Sequence, residues 1–172
     1  MASHVEIDMS EFREFFGSVE RAAKGDFRKE LELFLDGIGN EFLRVVQDEI
    51  IRRKVVDTRL LLHGFEHGSD GNVWKIEEDG LTLEVGSSVT YAGYVNDGHW
   101  TNPKGVAQRF VPGAWDGDRF VYDPHASGGM VLKQHWVEGR HYFDSALRII
   151  DKMLPGFLDE KLQEWVNRYF SG

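Results

Sequence analysis

Residues 73–85 read VWKIEEDGLTLEV, and this short stretch decides the class of fold. Apolar residues alternate with polar ones on both sides of Asp79-Gly80, a residue pair that favours a tight turn. Two runs of period two around such a turn predict a β-hairpin. The apolar residues of the hairpin share one face, which we expect to be buried against a helix: Trp74, Ile76, Leu81, Leu83 and Val85.

The residues before this hairpin have the periodicity of a helix. Apolar side chains recur at three- and four-residue steps over residues 27–51, with Asp26 as the cap, and they predict one long amphipathic helix. Gly37 and Gly39 either weaken this helix locally or permit the close approach of another part of the chain.

Two shorter helices are predicted beside the long one. Residues 10–23 form an amphipathic pattern that begins at Ser10, which is a favourable N-cap. Residues 60–62 form a short apolar helix, with Asp57 or Thr58 as its cap.

The sequence after the hairpin is less regular. Residues 91–95 fit one or two helical turns. Residues 99–140 are predicted to be a long aromatic-rich loop, in which short strands are expected only around 119–122 and 130–132. The helical period returns after this loop.

Helices, then a small antiparallel sheet, then helices are typical of the α+β class. We therefore expect one domain with N-terminal helices, a sheet built on the hairpin with a long inserted loop, and C-terminal helices. Pro155 fits the first turn of the last of these helices. The expected parts are residues 10–63, 73–98, 99–140 and 141–170.

The composition is that of a soluble globular protein. The chain has 172 residues, 41% hydrophobic and 28% charged, and contains no cysteine, which excludes disulfides and thiolate metal sites. No apolar run approaches the roughly 18 residues of a membrane helix, and the N-terminus lacks a signal-peptide pattern, so we expect a cytoplasmic protein. The formal net charge of -9 argues against non-specific nucleic-acid binding. The one basic cluster, Arg52-Arg53-Lys54, fits a helix C-terminus.

Two groups of residues raise the question of a metal-assisted hydrolase. Residues 63–67 read HGFEH, the H-x-x-E-H pattern in which two histidines on one helix face hold zinc. Gly64 and the turn residues 68–71 argue against a continuous helix there, so we expect no metal at this pair. The second group lies in and beside the long loop, and its spacing matches no metal or acid–base motif, so that turns and helix caps account for it. This group comprises Asp97, His99, Asp116, Asp118, Asp123, His125, His135 and His141.

The aromatic side chains of this region admit two further interpretations. They are suited to line a sugar-binding groove, and equally to anchor contacts between protein chains, where Trp and Tyr are enriched. A long loop with little regular structure is costly to order alone but can be fixed between copies of the same chain, which favours the interface. The predicted interface residues are Tyr94, Trp100, Phe110, Trp115, Phe120, Tyr122 and Trp136.

Three short motifs resemble those of a known family. Residues 91–98 (YAGYVNDG) match a Y-A-x-Y-V-x-x-G motif, residues 57–61 (DTRLL) match a D-T-x-x-L element, and residues 140–143 (RHYF) match an arginine-led aromatic motif that opens a C-terminal helix. In this order they resemble the small phage tail-completion, or head–tail joining, proteins typified by the tenth gene product of a lambda-like coliphage. Arg59 stands where that family usually has a glycine. The loop of residues 100–139 is longer than in compact members, as in a subgroup from phages and prophage-like elements of Gram-positive bacteria.

This resemblance implies a structural role without catalysis or a cofactor. It implies an α+β subunit of a homo-oligomeric ring, six-fold to match the tail, at the junction of tail and head. The implied partners are tail-tube or terminator proteins and head-closure or neck proteins, with no membrane. The resemblance also implies that the virion is assembled in the host cytoplasm, and that genomic DNA can pass through the ring without specific binding. A metal-assisted hydrolase and a carbohydrate-binding module remain the alternatives.

Overall fold

A computed structural model describes residues 3–9, 17, 26–55, 59–77 and 81–169. The fold is α+β, as predicted. The helices are α1 (Asp26–Arg52), α2 (Leu60–His63), α3 (Ala92–Asp97) and α4 (Tyr142–Tyr169). The strands are β1 (Ser3–Asp8), β2 (Asn72–Ile76), β3 (Thr82–Ser87), β4 (Gly98–Trp100), β5 (Gln108–Asp116), β6 (Arg119–Tyr122), β7 (Gly129–Lys133) and β8 (Trp136–Glu138).

The chain divides into two compact units. The first, here called the core unit, comprises Met1–Asn96 and Arg140–Gly172. The second, here called the strand unit, comprises Asp97–Gly139 and nearly coincides with the predicted long loop.

The core unit contains a three-stranded antiparallel sheet in the order β1-β3-β2. The predicted hairpin is confirmed, because β2 and β3 pair with Trp74 opposite Val85 and Ile76 opposite Leu83. Leu83 and Val85 are fully buried, whereas Trp74 and Ile76 are partly exposed. Residues 78–80, which include the predicted turn, lie outside the described residues.

Strand β1 was not predicted from the sequence. It pairs with β3 so that Val5 lies opposite Val85 and Ile7 lies opposite Leu83. Its alternation of apolar and polar residues covers only a few positions before residue 10, which is too short to distinguish a strand from an irregular terminus. The sheet is therefore completed by a segment far from the hairpin in sequence.

Helix α1 confirms the predicted long helix and packs against the sheet at Gly39. A Cβ atom at Gly39 would lie 2.6 Å from the Leu83 Cδ2 atom and 2.6 Å from the Trp74 ring, so only glycine allows this close contact. A Cβ atom at Gly37 would meet nothing within 4 Å. Gly39 therefore has the packing role that the sequence left open, and Gly37 does not.

The C-terminal region corrects one prediction. Pro155 was expected to begin a separate helix, but α4 is one helix that contains Pro155 in its interior. A proline removes one backbone hydrogen bond. Packing on both sides of it against α1 outweighs that loss: Phe143 packs edge-to-face on Phe42, and the buried Trp165 packs edge-to-face on Phe34.

Two predicted helices at the N-terminal side have different outcomes. The helix over residues 10–23 lies outside the described residues, apart from Gly17, and so do the proposed caps Asp57 and Thr58. The short helix at residues 60–62 is confirmed as α2. The residue before it, Arg59, has a φ of 62°, in the left-handed region that favours glycine.

The strand unit corrects a second prediction, because residues 99–140 are mostly strands and not a loop. Strand β4 pairs with β8, and β5 is the central strand of a sheet in the order β6-β5-β7. The two short strands expected from the sequence are confirmed as β6 and β7. The others were not predicted because β4 and β8 have only three residues each, and because β5 contains a proline and a glycine and exposes most of its residues, which removes the period-two signal of a half-buried strand.

Candidate functional site

The strand unit has no hydrophobic core. Within residues 97–139, all of which the structure describes, no hydrophobic side chain is buried, whereas the core unit buries about twenty. Two- and three-stranded sheets with no buried face are marginal on their own in water. The strand unit is therefore held by something other than burial of apolar surface within itself.

Hydrogen bonds supply part of that stability. The Asn102 side-chain amide donates to the Leu132 carbonyl oxygen at 2.9 Å, and the Thr101 hydroxyl donates to the Lys133 carbonyl oxygen at 3.0 Å. The Gln134 backbone N–H donates to the Ala107 carbonyl oxygen at 2.8 Å. These bonds tie the segment between β4 and β5 to the end of β7.

Exposed aromatic pairs lie at both ends of the strand unit. Trp100 and Trp136 face each other across β4 and β8, with ring centroids 5.5 Å apart. At the β5–β6 hairpin, Trp115 pairs with Phe120, with ring centroids 5.4 Å apart, and the Tyr122 side chain is 63% exposed. Edge-to-face pairs of this kind stabilise a sheet locally, and Trp100 and Trp115 remain 56% and 61% exposed within them.

A third exposed apolar pair lies between these two. Phe110 on β5 faces Val131 on β7, and their side chains are 56% and 57% exposed. Six of the seven residues predicted to form an interface therefore lie in the strand unit. The seventh, Tyr94, is exposed on α3 in the core unit.

Two of the aromatic residues also have a role inside the strand unit. A Cβ atom at Gly129 would lie 2.7 Å from the Phe110 Cζ atom, and one at Gly113 would lie 2.8 Å from the Phe120 Cζ atom. Each phenyl ring thus lies over a glycine of a neighbouring strand, where a larger residue would not fit. Phe110 and Phe120 therefore contribute to the sheet itself. Phe110 is still 56% exposed, so it remains available for contacts together with Trp100, Trp115, Tyr122 and Trp136.

The structure separates the two histidines of the H-x-x-E-H pattern. Helix α2 ends at His63, whose Nδ1 atom lies 2.8 Å from the Glu66 carboxylate. His67 instead lies 3.1 Å from the Asn40 side-chain oxygen and stacks on the Trp74 ring. The two rings do not share a helix face, which agrees with the interrupted helix predicted from Gly64.

Several acids and histidines of the strand unit lie in turns and at strand ends, whereas Asp97 ends α3 and His99 is the middle residue of β4. The Asp123 carboxylate accepts a hydrogen bond from the His125 backbone N–H at 2.9 Å, which is the turn-forming role expected from the sequence. The His135 Nδ1 atom lies 3.2 Å from the Lys133 carbonyl oxygen. Among the described residues, no group of three or more His, Asp or Glu side chains is arranged to hold a metal ion.

The basic cluster at the end of α1 is neutralised by a buried carboxylate. Arg53 donates to Glu49 at 2.9 Å, and the Arg52 Nε atom donates to Glu49 at 2.8 Å, while the Glu49 side chain is only 5% exposed. The hydrogen bond from Arg52 lowers the pKa of Glu49 to about 2, with Arg53 and Ser145 also lowering it. Arg53 also donates to the Arg140 carbonyl oxygen, which ties α1 to the start of α4.

A groove between α1 and α4 is a surface that sequence reasoning missed. It has a volume of about 740 Å³ and an apolar floor that includes Phe34, Ile38 and Phe157. Leu33 lies at its edge with 70% of its surface exposed. The sequence did contain one indication of this groove, because Leu33 is an apolar residue outside the apolar stripe predicted for α1.

Fold and surface together define an α+β protein that combines a well-packed core unit with a strand unit of exposed aromatic pairs. The chain belongs to the same family as two proteins of Bacillus subtilis (strain 168). It is 45% identical over 160 residues to the uncharacterized protein YqbI, covering 91% of this chain and 96% of that protein. It is 41% identical over 151 residues to the phage-like element PBSX protein XkdI, covering 88% of this chain and 92% of that protein.

Family models and solved structures show no relative of this chain. Among the described residues, no helix combines the length and the apolar character needed to cross a membrane.

Proposed function

We propose that this chain is a structural protein of a phage or phage-like particle, in which it completes the tail and joins it to the neck or head as a homo-oligomeric ring. The relationship to a protein of the phage-like element PBSX supports the particle as its setting. The order of the motifs at residues 57–61, 91–98 and 140–143 supports the tail-completion role within that setting.

The observation that carries the proposal is the absence of a hydrophobic core in the strand unit, residues 97–139. Exposed apolar patches on soluble proteins mark surfaces that bind other molecules, and tryptophan and tyrosine are the commonest anchors of protein–protein contacts. A unit with three exposed apolar pairs and no buried face of its own is suited to become ordered against neighbouring subunits. The proposed neighbours are copies of this chain, tail-tube or terminator proteins, and head-closure or neck proteins.

This function requires no catalytic residue and no cofactor. The proposed place of the protein is the tail or neck of the virion, after assembly in the host cell. A ring with six subunits matches a six-fold tail, and the overall negative charge of the chain suits a channel through which DNA slides without sticking.

Genetic complementation of a deletion strain tests the proposal. A phage-like element whose own copy of the gene is deleted should produce heads and tails that fail to join, and the wild-type chain should restore joined particles in electron micrographs. The variants Trp100→Ala and Trp115→Ala should fold normally by circular dichroism but restore fewer particles, because a buried aromatic anchor contributes about 2 kcal/mol or more, a ~30-fold change in affinity.

The matched control is Ile51→Ala, which also removes an exposed apolar side chain but lies at the end of α1. It should restore particles as the wild type does. Normal joining in the deletion strain would refute the tail-completion role. Full complementation by both tryptophan variants would show that these side chains are not anchors.

A further inference from the structure

The strand unit differs from the rest of the chain in charge as well as in burial. The whole chain carries a formal charge of -9. Residues 97–139 contain five acidic and four basic residues, so this unit carries -1 and the remainder carries -8. The core unit therefore contains nearly all of the excess negative charge.

Charge is also unevenly distributed within the strand unit. The segments 98–115 and 129–137 contain Lys104, Arg109 and Lys133 and no acidic residue. Among the described residues, none of these three cations has a carboxylate within ion-pair distance. The same segments carry the exposed Phe110–Val131 pair and the Trp100–Trp136 pair, so this part of the strand unit is both cationic and apolar.

The groove between α1 and α4 has the complementary properties. Its floor is apolar, and its lining contains four carboxylates against two cations: Glu30, Glu41, Glu160 and Glu164 against Lys161 and Arg168. Both cations already bond to carboxylates of the groove. Glu160 has no ion-pair partner among the described residues.

We propose that the cationic, apolar part of the strand unit of one copy binds in the α1–α4 groove of the next copy. This inference rests on the proposed ring and names the contact that builds it. Phe110 and Val131 would cover the apolar floor beside Leu33, and Lys133 would lie near Glu160. Complementary charge around an apolar centre is the arrangement that gives protein contacts their specificity.

The two surfaces are different parts of the same chain, so the contact is head-to-tail. A contact of this kind is not self-complementary, and repeated by rotation it forms a ring where the rotation closes and an open filament where it does not. A strand-unit surface that bound its own equivalent in a second copy would instead stop at a dimer. The geometry of the contact therefore distinguishes the proposed ring from a two-fold dimer.

The absence of cysteine makes this contact directly testable by crosslinking. We would prepare full-length Leu33→Cys and Val131→Cys variants, both at exposed positions, and treat them with a short bis-maleimide, separately and as an equimolar mixture. The mixture should give covalent dimers at a yield at least tenfold above that of either variant alone. Ile51→Cys, at an exposed site outside the groove, replaces Leu33→Cys in the control mixture and should give only the background yield.

A charge exchange gives a second measurement on the same contact. Lys133→Glu should weaken association at least tenfold in light scattering, and mixing it with Glu160→Lys should restore association between the two variants. Neither change alters a buried residue, so circular dichroism should report an unchanged fold for both.

The outcomes separate this inference from the proposed function. If rings form in solution or in particles but the mixed crosslink does not, the inferred contact is wrong, while the proposed ring still stands. Equal crosslinking of Val131→Cys with itself would show a two-fold contact and overturn it as well. A third outcome concerns DNA. If the wild type binds duplex DNA in a salt-sensitive way, Lys133→Glu loses that binding and the mixed crosslink does not form, then the cations bind DNA and not the groove. Absence of both rings and particle incorporation would refute the proposed function itself.

Discussion

The core unit and the strand unit use different sources of stability within one chain. In the core unit, α1 packs on a sheet whose central residues Leu83 and Val85 are fully buried, and α4 packs on α1. In the strand unit, strands of three to nine residues pair through backbone hydrogen bonds, and none of their hydrophobic side chains is buried. The difference shows that burial of apolar side chains stabilises the first unit and not the second, which under the proposed function is completed by contacts with other molecules.

The first test compares the same kind of change in the two units. Leu83→Ala should lower the free energy of unfolding by about 2–5 kcal/mol, because it leaves a cavity between α1 and the sheet. Val131→Ala removes an exposed apolar side chain from the strand unit and should change it by less than about 0.5 kcal/mol. Urea denaturation of both variants measures the difference. Similar losses for the two variants would show that the units do not differ in the way described.

The buried carboxylate of the core unit gives the next largest effect. Glu49→Gln should cost about 1–3 kcal/mol, since it leaves Arg52 and Arg53 without their charged partner, although solvent screens the exposed Arg52. The control Glu32→Gln breaks only an exposed pair with Arg28 and should cost less than about 0.5 kcal/mol.

The same carboxylate predicts a pH dependence. The pKa of Glu49 is about 2 in the folded chain and near its ordinary value of 4.5 in the unfolded chain. The ion pair therefore contributes fully to stability above pH 4.5, and its contribution is lost as the pH falls from 4.5 towards 2. Unfolding free energies measured between pH 7 and pH 3 should fall less steeply for Glu49→Gln than for the wild type. Parallel curves would contradict the role assigned to Glu49.

Two glycines of α1 provide a matched pair with opposite expected signs. Gly37→Ala should stabilise the helix by up to about 1 kcal/mol, because a Cβ atom there meets nothing. Gly39→Ala should destabilise the chain by about 1–2 kcal/mol, because the Leu83 and Trp74 side chains must move away. Thermal unfolding of the two variants should shift in opposite directions. A stabilising Gly39→Ala would show that α1 does not pack closely on the sheet.

The smallest expected effect lies at Arg59. Its φ of 62° lies in the left-handed region, which is unfavourable for arginine and which glycine adopts readily. Arg59→Gly should therefore stabilise the chain by about 0.5–1 kcal/mol, after the greater freedom of glycine in the unfolded chain is subtracted. Arg59→Ala serves as the control and should be close to neutral. Destabilisation by the glycine variant would mean that the Arg59 side chain has a role of its own.

These comparisons also show what the sequence can and cannot predict. Helix α1 and the β2–β3 hairpin were predicted because burial on one face produces a period that is visible in the chain. Pro155 was wrongly predicted to begin a helix, because the local preference of proline for the first helical turn can be read from the sequence. The contacts of Phe143 and Trp165 that keep α4 continuous cannot be read from it. The interrupted H-x-x-E-H helix was predicted from Gly64 and from the turn residues 68–71.

Only part of the candidate site could be predicted from the sequence, because only burial on one face leaves a periodic pattern. Trp100, Trp115 and Trp136 were recognised as candidate anchors from their residue type, and all three are exposed. The strands that carry them were missed, because a unit without a buried face leaves no alternation in the sequence. The groove at Leu33 was missed because it is formed by two helices that are distant in sequence.

Hydrogen–deuterium exchange is the most direct test of the central claim that the strand unit is completed by its partners. In the free chain, the amides of β5, β6 and β7 should exchange at least about tenfold faster than those of β3, because local opening there exposes no buried apolar surface. In assembled particles, the same amides should become at least about tenfold slower, while those of β3 stay unchanged. Strand-unit amides that are as protected as β3 in the free chain, or that do not change on assembly, would contradict the claim.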